Sequence, residues 1–126
     1  MISVDIEMAF AGKEDVMDVL EKIILSAYER VKNEAEEELE TLDHDLEIPE
    51  KPLPRITYEE AIEMLQEAGE DIKWGEDFST PEQRKLGEKL EGPYFVVDWP
   101  TEMKPFYIKP QDEDPELSHA FDLLAR

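Results

Sequence analysis

The run Tyr94-Phe95-Val96-Val97-Asp98-Trp99 is apolar at every position but one, and mostly aromatic or β-branched, and Pro100 closes it. A strand with one wet face alternates apolar and polar residues, so a run like this belongs to a strand covered on both faces. Pro100 removes the N–H that the next ladder bond needs, which ends the strand at Trp99. The following Pro105-Phe106-Tyr107-Ile108-Lys109 is again strand-like. Its short connection, Pro100 to Lys104, suits an antiparallel hairpin, because a parallel crossover takes a dozen residues or more. Beyond the polar loop Pro110 to Pro115, the run Ala120-Phe121-Asp122-Leu123-Leu124 predicts a third strand. Period two sets Asp122 on the face opposite Phe121 and Leu123, where a carboxylate needs a partner or a metal.

Ahead of these strands the periodicity changes. From Ile2 to Phe10, Val4, Ile6 and Met8 alternate with Ser3, Asp5 and Glu7, which predicts a strand with one apolar and one acidic face. After Gly12, Val16, Leu20, Ile23, Ala27 and Val31 recur at helical spacing, and Val19, Ile24 and Tyr28 widen the stripe. A helix over 13–40 is expected, with the charge run Asn33 to Glu40 as its solvated end. Pro49, Pro52 and Pro54 make 46–54 an extended linker. Thr57 and Glu60 form a capping-box pair ahead of Ala61, Met64, Leu65 and Ala68, and Gly69 stops that helix. Thr80-Pro81 opens another helix, with Leu86 and Leu90 inward and Gly92-Pro93 at its end. The fold class is α+β: a partial antiparallel sheet flanked by helices, in a single domain of 126 residues.

Charge and composition narrow the partners. With 34 acidic against 13 basic residues the net charge is -21, which opposes grip on a phosphate backbone by this chain. No apolar run is long enough to span a bilayer, no signal-peptide pattern follows Met1, and there is no cysteine. A cytoplasmic protein is expected, without disulfides or membrane insertion. His44 and His119 lack companions at zinc-ligand spacing, and the glycines stand singly rather than in a phosphate-binding loop.

The segment WPTEMKPFY at 99–107, followed by DPELSHAFDLL at 114–124, resembles the catalytic domain of archaeal-type aspartyl-tRNA synthetases, class II enzymes built on an antiparallel sheet. Val4 to Phe10 is similar to the strand after the family's second signature motif. Pro54 to Tyr58 and Trp74 to Asp77 are similar to the region connecting the halves of the sheet. The resemblance implies aspartate activation by ATP with magnesium, then transfer to tRNA. It also implies that the flanking arginine-bearing motifs that grip ATP lie outside these residues, so that the chain is an internal piece, inactive alone and holding no cofactor tightly.

The same resemblance gives roles to four residues. Asp5 would bind the substrate's ammonium group, for which a carboxylate is suited; on spacing alone it is a solvated strand acid. Lys104 and Tyr107 would border the site that reads the side-chain carboxylate, as a cation and a phenolic donor can; on spacing alone they are a turn lysine and a half-buried strand aromatic. Asp122 would help hold magnesium on ATP, which needs one or two carboxylates beside phosphate oxygens; a strand-end acid bonded to backbone is an equal reading. Trp99 and Phe106 read as core aromatics. An asparaginyl-tRNA synthetase or a related asparagine synthetase is the close alternative. A non-catalytic interaction protein that kept part of the fold, self-associating through open sheet edges, is the distant one.

Overall fold

A computed structural model of the chain describes residues 5–125. By internal contacts they form two compact units, divided between Glu50 and Lys51.

The first unit is helical. Asp15 closes the entry to helix α1 (Lys13–Glu34) by accepting the Gly12 N–H at 2.8 Å, and Glu14 beside it further offsets the positive helix end. The helix does not run unbroken to residue 40. Ala35 leaves helical geometry (φ -126°, ψ 37°), and α2 (Glu36–Thr41) starts afresh with three glutamates in its first turn. Those glutamates favour a new helix N-terminus over the middle of an old helix. The buried face of α1 also differs from the expected stripe: Met17 and Glu21 are buried, whereas Ile23 and Val31 are exposed. Apolar residues fall on adjoining faces of this helix, so their spacing alone does not choose between them.

The strand expected over 2–10 is not formed in the described part. Ile2, Ser3 and Val4 lie outside the described residues, and Asp5 to Met8 carry no ladder. Alternation makes a segment two-faced, but only a backbone partner makes it a strand. Phe10 instead turns into left-handed geometry (φ 58°) with its ring in solvent.

The second unit holds a three-stranded mixed sheet in the order β1 (Arg55–Thr57), β2 (Tyr94–Val97), β3 (Phe121–Leu124). The central strand runs parallel to β1 and antiparallel to β3, with Val96 between Ile56 and Asp122. Tyr94, Phe95 and Val96 are fully buried, as a strand covered on both faces requires. The parallel pair is connected by α3 (Tyr58–Glu67) and α4 (Thr80–Leu90), which supply the crossover that such a pair needs. The two helices begin with side-chain caps: Thr57 and Glu60 exchange bonds at α3, and Glu82 accepts the Ser79 N–H at α4. Ser79 is thus the cap, one residue before the expected start. Gly69 (φ 87°) follows the end of α3, and Glu91 (φ 57°) caps α4.

Tyr58, Leu65, Leu86, Tyr94, Val96 and Trp99 anchor the core between helices and sheet. Each large apolar side chain buried this way contributes roughly 1.5–3 kcal/mol. Tyr58 fixes the turn after α3: its hydroxyl donates to the Glu76 carbonyl at 2.7 Å and accepts the Gly75 N–H at 3.0 Å.

The hairpin expected over 94–109 is absent. Residues 105–109 form a turn, closed by Ile108 N–H donating to the Pro105 carbonyl at 3.0 Å, and the antiparallel partner of β2 is β3. Two prolines explain this, since Pro105 and Pro110 each withhold a ladder donor. The chain from Asp98 to Ala120 is instead a folded excursion. It starts with a 3-10 turn, η1 (Thr101–Met103), and is stitched to itself by Thr101 N–H to Glu116 O and Ser118 N–H to Trp99 O, both 2.8 Å.

Candidate functional site

Lys104 leaves η1 at the point where the backbone becomes extended (φ -106°, ψ 153°). Its side chain turns in over the core rather than out to water and is only 18% exposed. The ammonium stands 3.8 Å from the centroid of the Trp99 ring and donates to Asp122 Oδ2 at 3.2 Å. Trp99 lies just past β2 and Asp122 within β3, so the lysine spans the two antiparallel segments.

Several bonds hold this arrangement. The Trp99 carbonyl accepts both the N–H and the hydroxyl of the buried Ser118, at 2.8 and 2.9 Å. Asp98, in left-handed geometry (φ 57°), accepts from Gln111 Nε2 at 2.8 Å, and the same nitrogen reaches the Ser118 carbonyl at 3.2 Å. On its inner side Trp99 packs on Tyr58 and Phe78, with centroids 4.9 and 5.1 Å away.

Among the four residues singled out from the sequence, Lys104 and Asp122 are brought into contact. Tyr107 stands on the turn beyond Lys104, 72% exposed, with its ring edge-on to Phe106 at 5.6 Å. Phe106 is not a core aromatic: it is fully exposed, because the turn over 105–109 faces its side chain to solvent. Trp99 is in the core as expected. Asp5 belongs to the first unit and is exposed there. The contact of Lys104 with Trp99 was not legible beforehand, because a 3-10 turn separates the two and no helix or strand period relates them.

Chemically, the site offers an ammonium with one hydrogen bond in use and a half-exposed carboxylate beside it. An ammonium has three donors, so Lys104 can still receive an anionic oxygen. Asp122 brings a single carboxylate, and no group of three or more metal-ligating side chains occurs among the described residues. That donor set fits a magnesium ion held mainly by phosphate oxygens, and does not fit a protein-caged ion. No helix among the described residues is long and apolar enough to cross a membrane.

A family profile for class II tRNA synthetases (D, K and N) matches residues 1–126, and the chain belongs to that family. It is 51% identical over 123 residues to an aspartate–tRNA(Asp/Asn) ligase of Archaeoglobus fulgidus and 48% identical to that of Methanococcus aeolicus. These alignments cover 98% of this chain but 29% and 28% of the relatives, so the chain spans a little under a third of their length. Among solved structures, asparaginyl-tRNA synthetase from Pyrococcus horikoshii superposes with a TM-score of 0.87 at 36% identity, over 93% of this chain and 29% of that one. An aspartyl-tRNA synthetase from Entamoeba histolytica superposes at 0.78 with 31% identity, over 94% and 26%. The α+β class read from the sequence stands with these neighbours.

Proposed function

We propose that this chain is part of the catalytic domain of an aspartate–tRNA ligase, which joins aspartate to ATP as an aspartyl-adenylate and passes it to tRNA in the cytoplasm. In this reading both units belong to one catalytic domain. The observation that carries it is the seated Lys104 ammonium, within a chain whose similarity to aspartate–tRNA ligases extends over nearly all its residues.

Lys104 receives the side-chain carboxylate of aspartate, and Tyr107 borders the same site. A cation favours a carboxylate over a neutral carboxamide, because the bond between two charged partners is the stronger. Asp5 orients the substrate's ammonium. Asp122 is the chain's carboxylate toward magnesium on ATP, and that ion would neutralise charge on the phosphates when bound. The chain's own work is positioning and charge complementarity. Grip on tRNA falls to other, less acidic surfaces, in keeping with the net charge of -21.

Asparagine is the second reading, favoured by the superposition on the P. horikoshii enzyme. The test is amino-acid-dependent exchange of pyrophosphate into ATP by the A. fulgidus ligase carrying this segment in place of its own. Exchange with aspartate and little with asparagine supports the first reading. The reverse order supports the second, and no exchange with either removes both.

A further inference from the structure

We infer that Trp99 is a positioning residue for the Lys104 ammonium: the indole face holds the charge without adding a second counter-ion, so that donor capacity remains for a carboxylate substrate. The inference rests on the proposed reading of Lys104 as the reader of a substrate carboxylate and adds the residue that makes it work.

Three observations carry it. The ammonium lies 3.8 Å from the ring centroid, well inside the distance at which a cation is attracted by an aromatic face. The indole cannot drift, because it is 3% exposed and backed by Tyr58 and Phe78, while its carbonyl is bonded twice to Ser118. Thirdly, the Trp99 indole N–H is buried with no acceptor among the described residues. A buried donor left unpaired is costly, and a phenylalanine would fill space without that cost. What tryptophan adds over phenylalanine is a larger and more strongly attracting face, and the lysine sits on it.

The distinction from a counter-ion matters for function. Asp122 already balances the ammonium, so a second carboxylate would occupy a further donor and make the cluster net negative, which opposes an acid substrate. A π face attracts the cation through the ring quadrupole and adds no opposing charge. Asp122 already uses one of the three donors, and a ring face in place of a second carboxylate leaves donor capacity for the substrate.

The test has two arms. In the 126-residue chain, the lysine ε-methylene resonances are recorded by NMR and Lys104 is assigned by its disappearance in Lys104→Met. A position upfield of all other lysines, from the ring current of Trp99, is expected; a position among the solvent-exposed lysines overturns the inference without any core substitution. In the chimeric synthetase, Trp99→Leu is expected to raise KM for aspartate about tenfold and Trp99→Phe roughly threefold, the size of a lost or weakened desolvated cation–π contact. The KM for ATP stays within twofold in both. A Trp99→Phe enzyme whose ATP and aspartate KM values rise together points to a merely structural tryptophan and overturns the positioning role, as does an unchanged aspartate KM in either variant. Loss of exchange in the unsubstituted chimera instead marks the failure of the aspartate reading itself.

Discussion

Lys104 and Asp122, eighteen residues apart, meet at 3.2 Å and join the folded excursion to the strand that follows it. Asp122 is half-exposed, so this ion pair is worth only about 0–1 kcal/mol. The contact of Lys104 with Trp99 is shielded and adds about 1 kcal/mol. Lys104→Met should therefore destabilise the chain by about 1–2 kcal/mol and Asp122→Asn by less than about 1 kcal/mol. Urea unfolding checks the order, and an Asp122→Asn loss equal to that of Lys104→Met would assign the lysine's hold to the carboxylate instead.

Burial pushes the Tyr94 hydroxyl up to about 12, and burial also raises that of Tyr58. The unfolded chain ionises its tyrosines near 10, so above that pH the unfolded state loses protons that the folded state keeps. Stability is then fully present below pH 10 and falls as pH rises toward 12. The Tyr94 contribution is up to about 2–3 kcal/mol at the alkaline end. Tyr94→Phe, which forfeits only a 3.2 Å bond to the Gln83 carbonyl, should flatten that decline in denaturation at pH 9 to 12. An equally steep decline in the variant would count against it.

Gly75 has φ +88°, and an added Cβ would meet Glu102 Oε1 at 3.3 Å while its N–H serves Tyr58. Gly75→Ala should cost on the order of 1–2 kcal/mol, from left-handed strain and a crowded neighbour. Thermal unfolding measures it; an unchanged or raised midpoint would show that the turn relaxes freely.

At α3, the Thr57 hydroxyl accepts the Glu60 N–H at 3.1 Å while Glu60 accepts the Thr57 N–H at 2.7 Å. Thr57→Ala removes one half of this exchange and should cost about 1 kcal/mol. Because Thr57 also ends β1, amide exchange should quicken at the start of α3 and in β1 together. Quickening confined to α4 would refute the link.

What was legible in the sequence was local. Thr57 with Glu60, Gly69, and the unbroken run from Tyr94 give α3, its end and the buried central strand, because each depends on chemistry within a few residues. The sheet's partners depend on distance. Arg55 to Thr57 is three residues behind Pro54, too short for any alternation, and becomes β1 only because β2 lies alongside. Phe106 and Ile108 look like strand residues until the two flanking prolines are given their full weight. In α1, a helix with apolar residues on adjoining faces does not announce which face is covered. The candidate site divides likewise: Lys104 and Asp122 were singled out by resemblance, but their meeting on the face of Trp99 is a tertiary fact.

The most direct test is the aspartate dependence of pyrophosphate exchange by the synthetase carrying this segment, with and without Lys104→Met. Loss of a charge-assisted contact should raise KM for aspartate by roughly 10- to 100-fold while KM for ATP holds steady, and asparagine should exchange poorly in both. An aspartate KM indifferent to Lys104 would contradict the account.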